Sequence, residues 1–291
     1  MESIVLYLSG ERGLKVLDAL LVQNKYKIFV FSLKTIIGLK NLNNDYINYK
    51  IIDDVNSKKH ISDIKNIMPD IAIVSGFSQI FNDELINFPK LGTINLHAGP
   101  LPKYRGGSPL NWQIINNEKK IGLSIIAMDK GIDTGDIISQ RFFKLGTSDD
   151  IAIVHKKANT LFAQMVIDVL NNINNKSLKN IKQDSTRSVY WHQRSDLDSR
   201  VNWHNMTALQ VYNFIRALTT PYKGAYTFFN EHKLRIYSSR LTENSFCGSP
   251  GRIVKIKGNQ ILIICSDKGL YIENYKFEEY SGVLINGMYL N

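Results

Sequence analysis

The chain opens with an apolar run at positions 4–8 that does not alternate with polar residues. Such a run predicts a strand covered on both faces, the habit of parallel sheets. A turn follows at 9–13. Then Leu14, Val16, Leu17, Ala19, Leu20 and Leu21 recur near helical spacing, and residues 26–31 give a second strand. This is a βαβ opening. The alternation continues with a short strand at 49–52 and a helix at 60–68 stopped by Pro69. Next come strands at 71–74 and 92–96 with a short helix at 83–88 between them. A helix from 111, strands at 121–128 and 137–143, and a long amphipathic helix at 149–170 complete the pattern.

From 171 to 204 the sequence is polar and rich in Asn, Lys and Ser, and it then carries Trp191 and Trp203. Residues 207–218 read as a helix ended before Pro221. Beyond it the pattern shortens to strands at 225–229, 234–239, 251–257, 260–265 and 269–274. Gly258-Asn259 is a hairpin signal, and short strands at this spacing suggest a small barrel. The expected fold class is therefore α/β, a Rossmann-like, mostly parallel sheet with flanking helices, followed by a small, OB-like C-terminal β-barrel. The domains are drawn at 1–185, with a linker at 186–206 and a C-terminal helix plus barrel at 207–291. The Trp191–Trp203 stretch is expected to pack between domains, with stacking on a nucleobase as the alternative.

Composition narrows the class. A chain of 291 residues with 44% hydrophobic content suits one large or two moderate globular domains. No apolar run is long enough to span a bilayer. The start lacks a basic lead and a cleavage signal, so a cytoplasmic protein is expected. Cys247 and Cys265 are not spaced for zinc, and two cysteines do not make a disulfide scaffold. The formal net charge of +10 admits an anionic partner, such as a nucleotide, a folate or a nucleic acid, or simply lysines scattered over the surface. The first turn lacks the Gly-x-Gly-x-x-Gly fingerprint, which argues against a dinucleotide site.

Chemistry concentrates between 95 and 136. Asn95 and His97 stand at a predicted strand end, two residues apart, which sends both side chains to one side. A loop with Pro100, Pro102, Gly106 and Gly107 follows. Asp133 lies in a second Gly-flanked loop after the next apolar run. An amide, an imidazole and a carboxylate on neighbouring loops make a plausible acyl-transfer site.

Asn-x-His at 95–97, Leu-Pro-Lys-Tyr-Arg-Gly-Gly-Ser-Pro at 101–109 and Asp-Lys-Gly-Ile-Asp-Thr-Gly-Asp at 129–136 together resemble the formyltransferases that use 10-formyltetrahydrofolate. That family includes the methionyl-tRNA, glycinamide ribonucleotide and nucleotide amino-sugar enzymes. The resemblance implies that Asn95, His97 and Asp133 are its catalytic trio and that neither metal nor covalent intermediate takes part. It implies that Met128, Lys130, Gly131 and Ile132 read the folate ring, with Phe77, Ser78 and Ile80 lining the same pocket. Plain core packing is the alternative for Phe77 and Ile80.

The acceptor needs a separate argument. Residues 215–226 resemble the start of the C-terminal domain in both the tRNA and the sugar enzymes. The tRNA enzymes carry a long basic insertion after the second strand. Here residues 32–48 hold only Lys34 and Lys40 and no Arg. A grip on tRNA needs many phosphate contacts. The resemblance therefore favours a nucleotide-linked amino sugar, specifically a dTDP-amino-dideoxyhexose for O-antigen, over the methionyl-tRNA alternative. Arg12, Lys103, Tyr104, Arg105, Arg216 and Tyr222 are the candidates to bind it, or else loop anchors. The 4-amino-arabinose enzymes of the family carry Arg where this chain has Gly107, so the contacts of that branch are not carried over. No nucleic acid or membrane partner is expected, and a homodimer is.

Overall fold

The computed structural model describes residues 2–36, 39, 46–279 and 282–291. The chain packs as two compact units, and neither is one continuous stretch. The first takes Met1–Gly106, Gly122–Phe143 and Lys156–Tyr190, and the second takes Gly107–Ile121, Lys144–His155 and Trp191–Asn291.

The first unit begins with β1 (Ser3–Leu8), α1 (Gly10–Val22), β2 (Lys27–Ser32), β3 (Ile47–Ile51), α2 (Lys58–Ile67), β4 (Ile71–Ser75), α3 (Asp83–Asn87) and β5 (Thr93–His97). A short β6 (Arg105–Gly106), β7 (Lys120–Ala127), β8 (Ile137–Lys144) and part of α5 (Ile151–Asn174) follow. Seven strands form one sheet in the order β3-β2-β1-β4-β5-β7-β8. β1 to β5 run parallel, and β7 is antiparallel to β5. Ile4 to Leu8, Ile71 and Ile73 are fully buried, as the unbroken apolar runs require. Ser57 caps α2 by accepting a hydrogen bond from the His60 N–H. Met68, left-handed at φ 47°, ends it just before Pro69.

In the second unit, α4 (Pro109–Ile115) packs on α6 (Ala208–Leu218). The Asn111 amide donates to the Ala217 carbonyl at 2.8 Å. Arg216 donates to the carbonyls of Gly146 and Asp149. These bonds draw two early excursions of the chain into the later unit, so the units interleave where the sequence suggested consecutive segments. Thr207 and Gln210 form a capping box on α6. After the two-residue β9 (Tyr190–Trp191) come β10 (Ala225–Phe229), β11 (His232–Leu241), β12 (Ile253–Lys257), β13 (Gln260–Ile264) and β14 (Gly269–Phe277). β10 to β14 make an antiparallel sheet in the order β10-β11-β14-β13-β12. Register shifts at Ile236/Ser238 and Ser238/Ser239 bend it. Trp203 is buried inside this unit, where its indole N–H donates to the Thr227 hydroxyl at 2.9 Å.

Candidate active site

β5 carries Asn95 and His97 on one side, in register with Ile126 and Ser124 of β7. His97 is buried, 6% exposed, while Asn95 is half-buried. The loop after β5 folds back over the ring. His97 Nε2 lies 2.5 Å from the Tyr104 carbonyl oxygen. Gly99 permits this closeness, because a Cβ there would stand 2.8 Å from both His97 Nε2 and the Tyr104 carbonyl. Ser124 donates to the Gly99 carbonyl at 2.7 Å and accepts from Leu101 N–H at 3.2 Å, tying the loop to β7.

The loop between β7 and β8 brings Asp133 to the ring, with Oδ1 3.3 Å from His97 Nδ1. Gly106 N–H donates to Asp133 Oδ2 at 2.9 Å. Both carboxylate oxygens are thus engaged, and each ring nitrogen of His97 faces an acceptor. Burial by itself pushes the Asp133 carboxyl up. The hydrogen bond and charge of His97, the Gly106 N–H and the charge of Arg105 together outweigh it and hold the group below the usual carboxylate range. The turn is tight: a Cβ on Gly135 would stand 1.7 Å from the Ala127 carbonyl oxygen.

Asp133 itself is left-handed, at φ 55°, a conformation that a residue with a Cβ holds only against a cost. Gln183 secures it. Its side-chain amide donates to the Asp133 carbonyl at 2.8 Å and to the Gly135 carbonyl at 2.7 Å. Its Oε1 accepts from Arg105 Nη2 and Nε at 2.9 and 3.1 Å, and Arg105 Nη1 donates to the Tyr190 hydroxyl at 3.0 Å. Sequence reasoning missed Gln183. It lies in a polar stretch without periodicity, fifty residues from the Asp133 it holds.

A cavity of about 310 Å³ opens beside this cluster. It is lined by Asn95, Gly106 and Asp133, and by all seven residues expected to hold the folate: Phe77, Ser78, Ile80, Met128, Lys130, Gly131 and Ile132. Val74, Phe81, Ile86 and Ile126 supply further apolar wall. Ile80 and Ile132 leave 75% and 58% of their surface in solvent at its rim. Among the described residues no group of three or more His, Cys, Asp or Glu could hold a metal ion.

The six acceptor candidates divide between the units, Arg12, Lys103, Tyr104 and Arg105 in the first and Arg216 and Tyr222 in the second. Arg12 donates to the Leu96 carbonyl at 3.3 Å and lies over the Phe162 ring. Tyr104 is buried, Lys103 is exposed, and Arg105 is committed to Gln183 and Tyr190. Arg216 is buried against the Asn213 side chain and the Gly146 and Asp149 carbonyls. Tyr222 lines a separate cavity in the second unit. Of the lysines at 32–48, Lys40 lies outside the described residues.

An amide, a buried imidazole–carboxylate pair and a half-apolar cavity at strand ends define a group-transfer site. The chain matches the family of formyl transferases over residues 20–170 and the formyl transferase C-terminal domain over residues 195–283. It is 33% identical over 224 residues to a methionyl-tRNA formyltransferase of Geobacter sulfurreducens, covering 77% of this chain and 69% of that one. This chain therefore belongs to the formyl transferase family.

Among solved structures, the fold is similar to an N-formyltransferase from Helicobacter canadensis in complex with folinic acid and dTDP-3-aminofucose. The TM-score is 0.72 at 22% identity, covering 95% of this chain and 100% of that one. It is also similar to HypX from Aquifex aeolicus, with TM-score 0.67 at 17% identity; there the match spans 94% of this chain but only 45% of the other.

Proposed function

We propose that the protein moves a formyl group from 10-formyltetrahydrofolate to the amine of a nucleotide-linked amino sugar. The observation that carries the donor half is the shared cavity: every residue expected to read the folate lines it, together with Asn95 and Asp133. Apolar and aromatic walls suit the faces of a fused ring, and the polar backbone of 129–132 suits its edge. Phe77, Ile80, Met128 and Ile132 would hold the donor, which supplies an electrophilic formyl carbon when bound.

In this reading the Asn95 amide and the His97 ring stabilise the negative charge that grows on the formyl oxygen. Asp133, kept ionised, orients His97 and balances its charge. Each of its oxygens makes one hydrogen bond and keeps a lone pair, so Asp133, which lines the cavity, receives the amine proton directly or through a water. As a test, His97→Ala should lose at least about a hundredfold in kcat while the protein still folds, and near-wild-type turnover refutes the assignment.

For the acceptor, the amino-sugar reading is supported by the sparse basic content of residues 32–48 and by the dTDP-3-aminofucose bound to the Helicobacter protein of similar fold. The rest of the reading is a cytoplasmic homodimer acting on a dTDP-amino-dideoxyhexose for O-antigen. The relative at 33% identity favours a second reading, methionyl-tRNA as acceptor. Incubation with 10-formyltetrahydrofolate and a panel of nucleotide amino sugars, or charged initiator tRNA, separates the two. Turnover with tRNA alone rejects the sugar.

A further inference from the structure

The second unit has a cavity of its own, of about 380 Å³, lined in part by Ser108, Gln193, Arg194, Ser195, Tyr222 and Lys223. Its chemistry is unbalanced toward the cationic. Arg194 is half-buried, with its guanidinium over the rings of Trp112 and Phe214 at 4.8 and 5.3 Å. One Nη donates to the Asp198 carbonyl, and Nε is buried with no partner among the described residues. No carboxylate pairs with this guanidinium among the described residues. The Asp198 carboxylate is taken by Ser195 and His192.

Lys223 is exposed and makes no ion pair among the described residues. The one acid on the wall, Asp196, is already neutralised by Arg235 and Lys233 at 2.7 and 3.0 Å. Burial pulls the Arg194 guanidinium below its ordinary value against smaller opposing effects of Asp198 and Tyr222, so the charge is held at a cost that a bound anion would relieve. A neutral donor joins them: the Ser108 hydroxyl accepts from the backbone N–H of Arg194 at 3.1 Å, which leaves its own hydrogen to donate.

We infer that this cavity binds the diphosphate of the acceptor nucleotide, with Arg194 and Lys223 as its cationic contacts and Ser108 as a hydroxyl donor. The inference rests on the nucleotide-sugar reading for the identity of the ligand, but the pocket itself is testable without it. An Arg fork set over aromatic rings is pre-organised for phosphate oxygens, which a flexible Lys matches only as a point charge. The pocket also gives a role to the basic, aromatic stretch around Trp191 that the α/β chemistry leaves unused.

The test is calorimetric titration of the full chain with inorganic pyrophosphate at low salt. Wild type should bind, and Lys223→Ala should bind about tenfold more weakly, the effect of losing one charge-assisted contact at a partly open site. Arg194→Lys should show a similar loss. Lys223 is exposed, so its variant stays informative even where an Arg194 variant fails to fold. Absence of pyrophosphate binding, or equal binding by wild type and Lys223→Ala, overturns the pocket.

A second arm reads the acceptor. With a dTDP-amino sugar, Lys223→Ala should raise the acceptor KM about tenfold, leaving kcat and the folate KM unchanged. If pyrophosphate binds as expected but only tRNA is formylated and competes for the site, the assignment to a nucleotide sugar falls. If a sugar is formylated but the variants bind pyrophosphate normally, the pocket falls and the acceptor reading survives.

Discussion

Gln183 offers the sharpest test of how the site is held. Replacing it with Leu removes two donors, to the carbonyls of Asp133 and Gly135, and the acceptor on which Arg105 rests. Each lost bond to a carbonyl costs about 1 kcal/mol net, and up to about 3 where the acceptor is left dry. Against this stands the left-handed backbone of Asp133 at φ 55°, which costs roughly 1–2 kcal/mol in a residue with a Cβ. Two bonds and one strained residue nearly balance.

Removing the bonds lets the loop relax, and about 2 kcal/mol lowers the fraction of competent loop by roughly thirtyfold. The expected outcome for Gln183→Leu is a fall in kcat of at least about tenfold with folding intact. Gln183→Glu is the informative partner. It retains the acceptor for Arg105 but sets a carboxylate against two carbonyls, so it should be as impaired as Leu despite its shape. Steady-state kinetics with 10-formyltetrahydrofolate, alongside thermal melting, read both variants. A Gln183→Leu protein with kcat within twofold of wild type refutes the reasoning, because Asp133 would then hold its place without the amide.

Two further outcomes follow from buried groups elsewhere. Arg216→Met should destabilise the protein by about 2–4 kcal/mol in urea unfolding, since the Gly146 and Asp149 carbonyls lose their donor, while the acceptor KM stays within twofold. A raised KM at unchanged stability would restore Arg216 as a substrate contact. His60 is buried against Tyr7, and burial lowers its pKa to about 4, against smaller opposing effects of Asp63 and Asp54. The unfolded value is about 6.5, so the contribution of neutral His60 is complete above pH 6.5 and is lost as pH falls through about 4. Between pH 7 and 5 the loss should be about 2 kcal/mol. The depressed carboxylates titrate below this window. A His60→Gln variant with the same slope between pH 7 and 5 assigns the effect to another group.

The strand and helix pattern was readable because the central strands of the first unit's sheet, β1, β4, β5 and β7, are covered on both faces. An unbroken apolar run such as Ile4–Leu8 then has one interpretation, and Pro69 marks a helix end that the Met68 turn makes real. The interleaving of the units was not readable. It rests on the packing of α4 against α6 and on polar contacts such as Asn111 to Ala217 and Arg216 to Gly146, between residues 106 and 70 positions apart. No local period reports such a bond. The small β-domain was legible in its strands and its hairpin turn, but the sheet order, which places β14 between β11 and β13, is a matter of long-range pairing.

The same distinction divides the site. Residues that shape it through the local chain left a mark in the sequence: Gly99 where the loop meets His97, Gly135 where the turn meets Ala127. Residues that support it across the fold left none. Arg105 shows why a residue type alone misleads. An Arg inside a Gly-rich loop reads as a phosphate contact, yet here its guanidinium is spent on Gln183 and Tyr190 and its charge on holding Asp133 ionised. Arg194, in a stretch that reads as a linker, has the opposite balance, being held by rings and one carbonyl with donor capacity to spare. Whether a cation serves the fold or a ligand is decided by how many of its donors the protein itself consumes. By that criterion Arg105 serves the loop that holds Asp133, and Arg194 keeps donors for the anion proposed to enter its cavity.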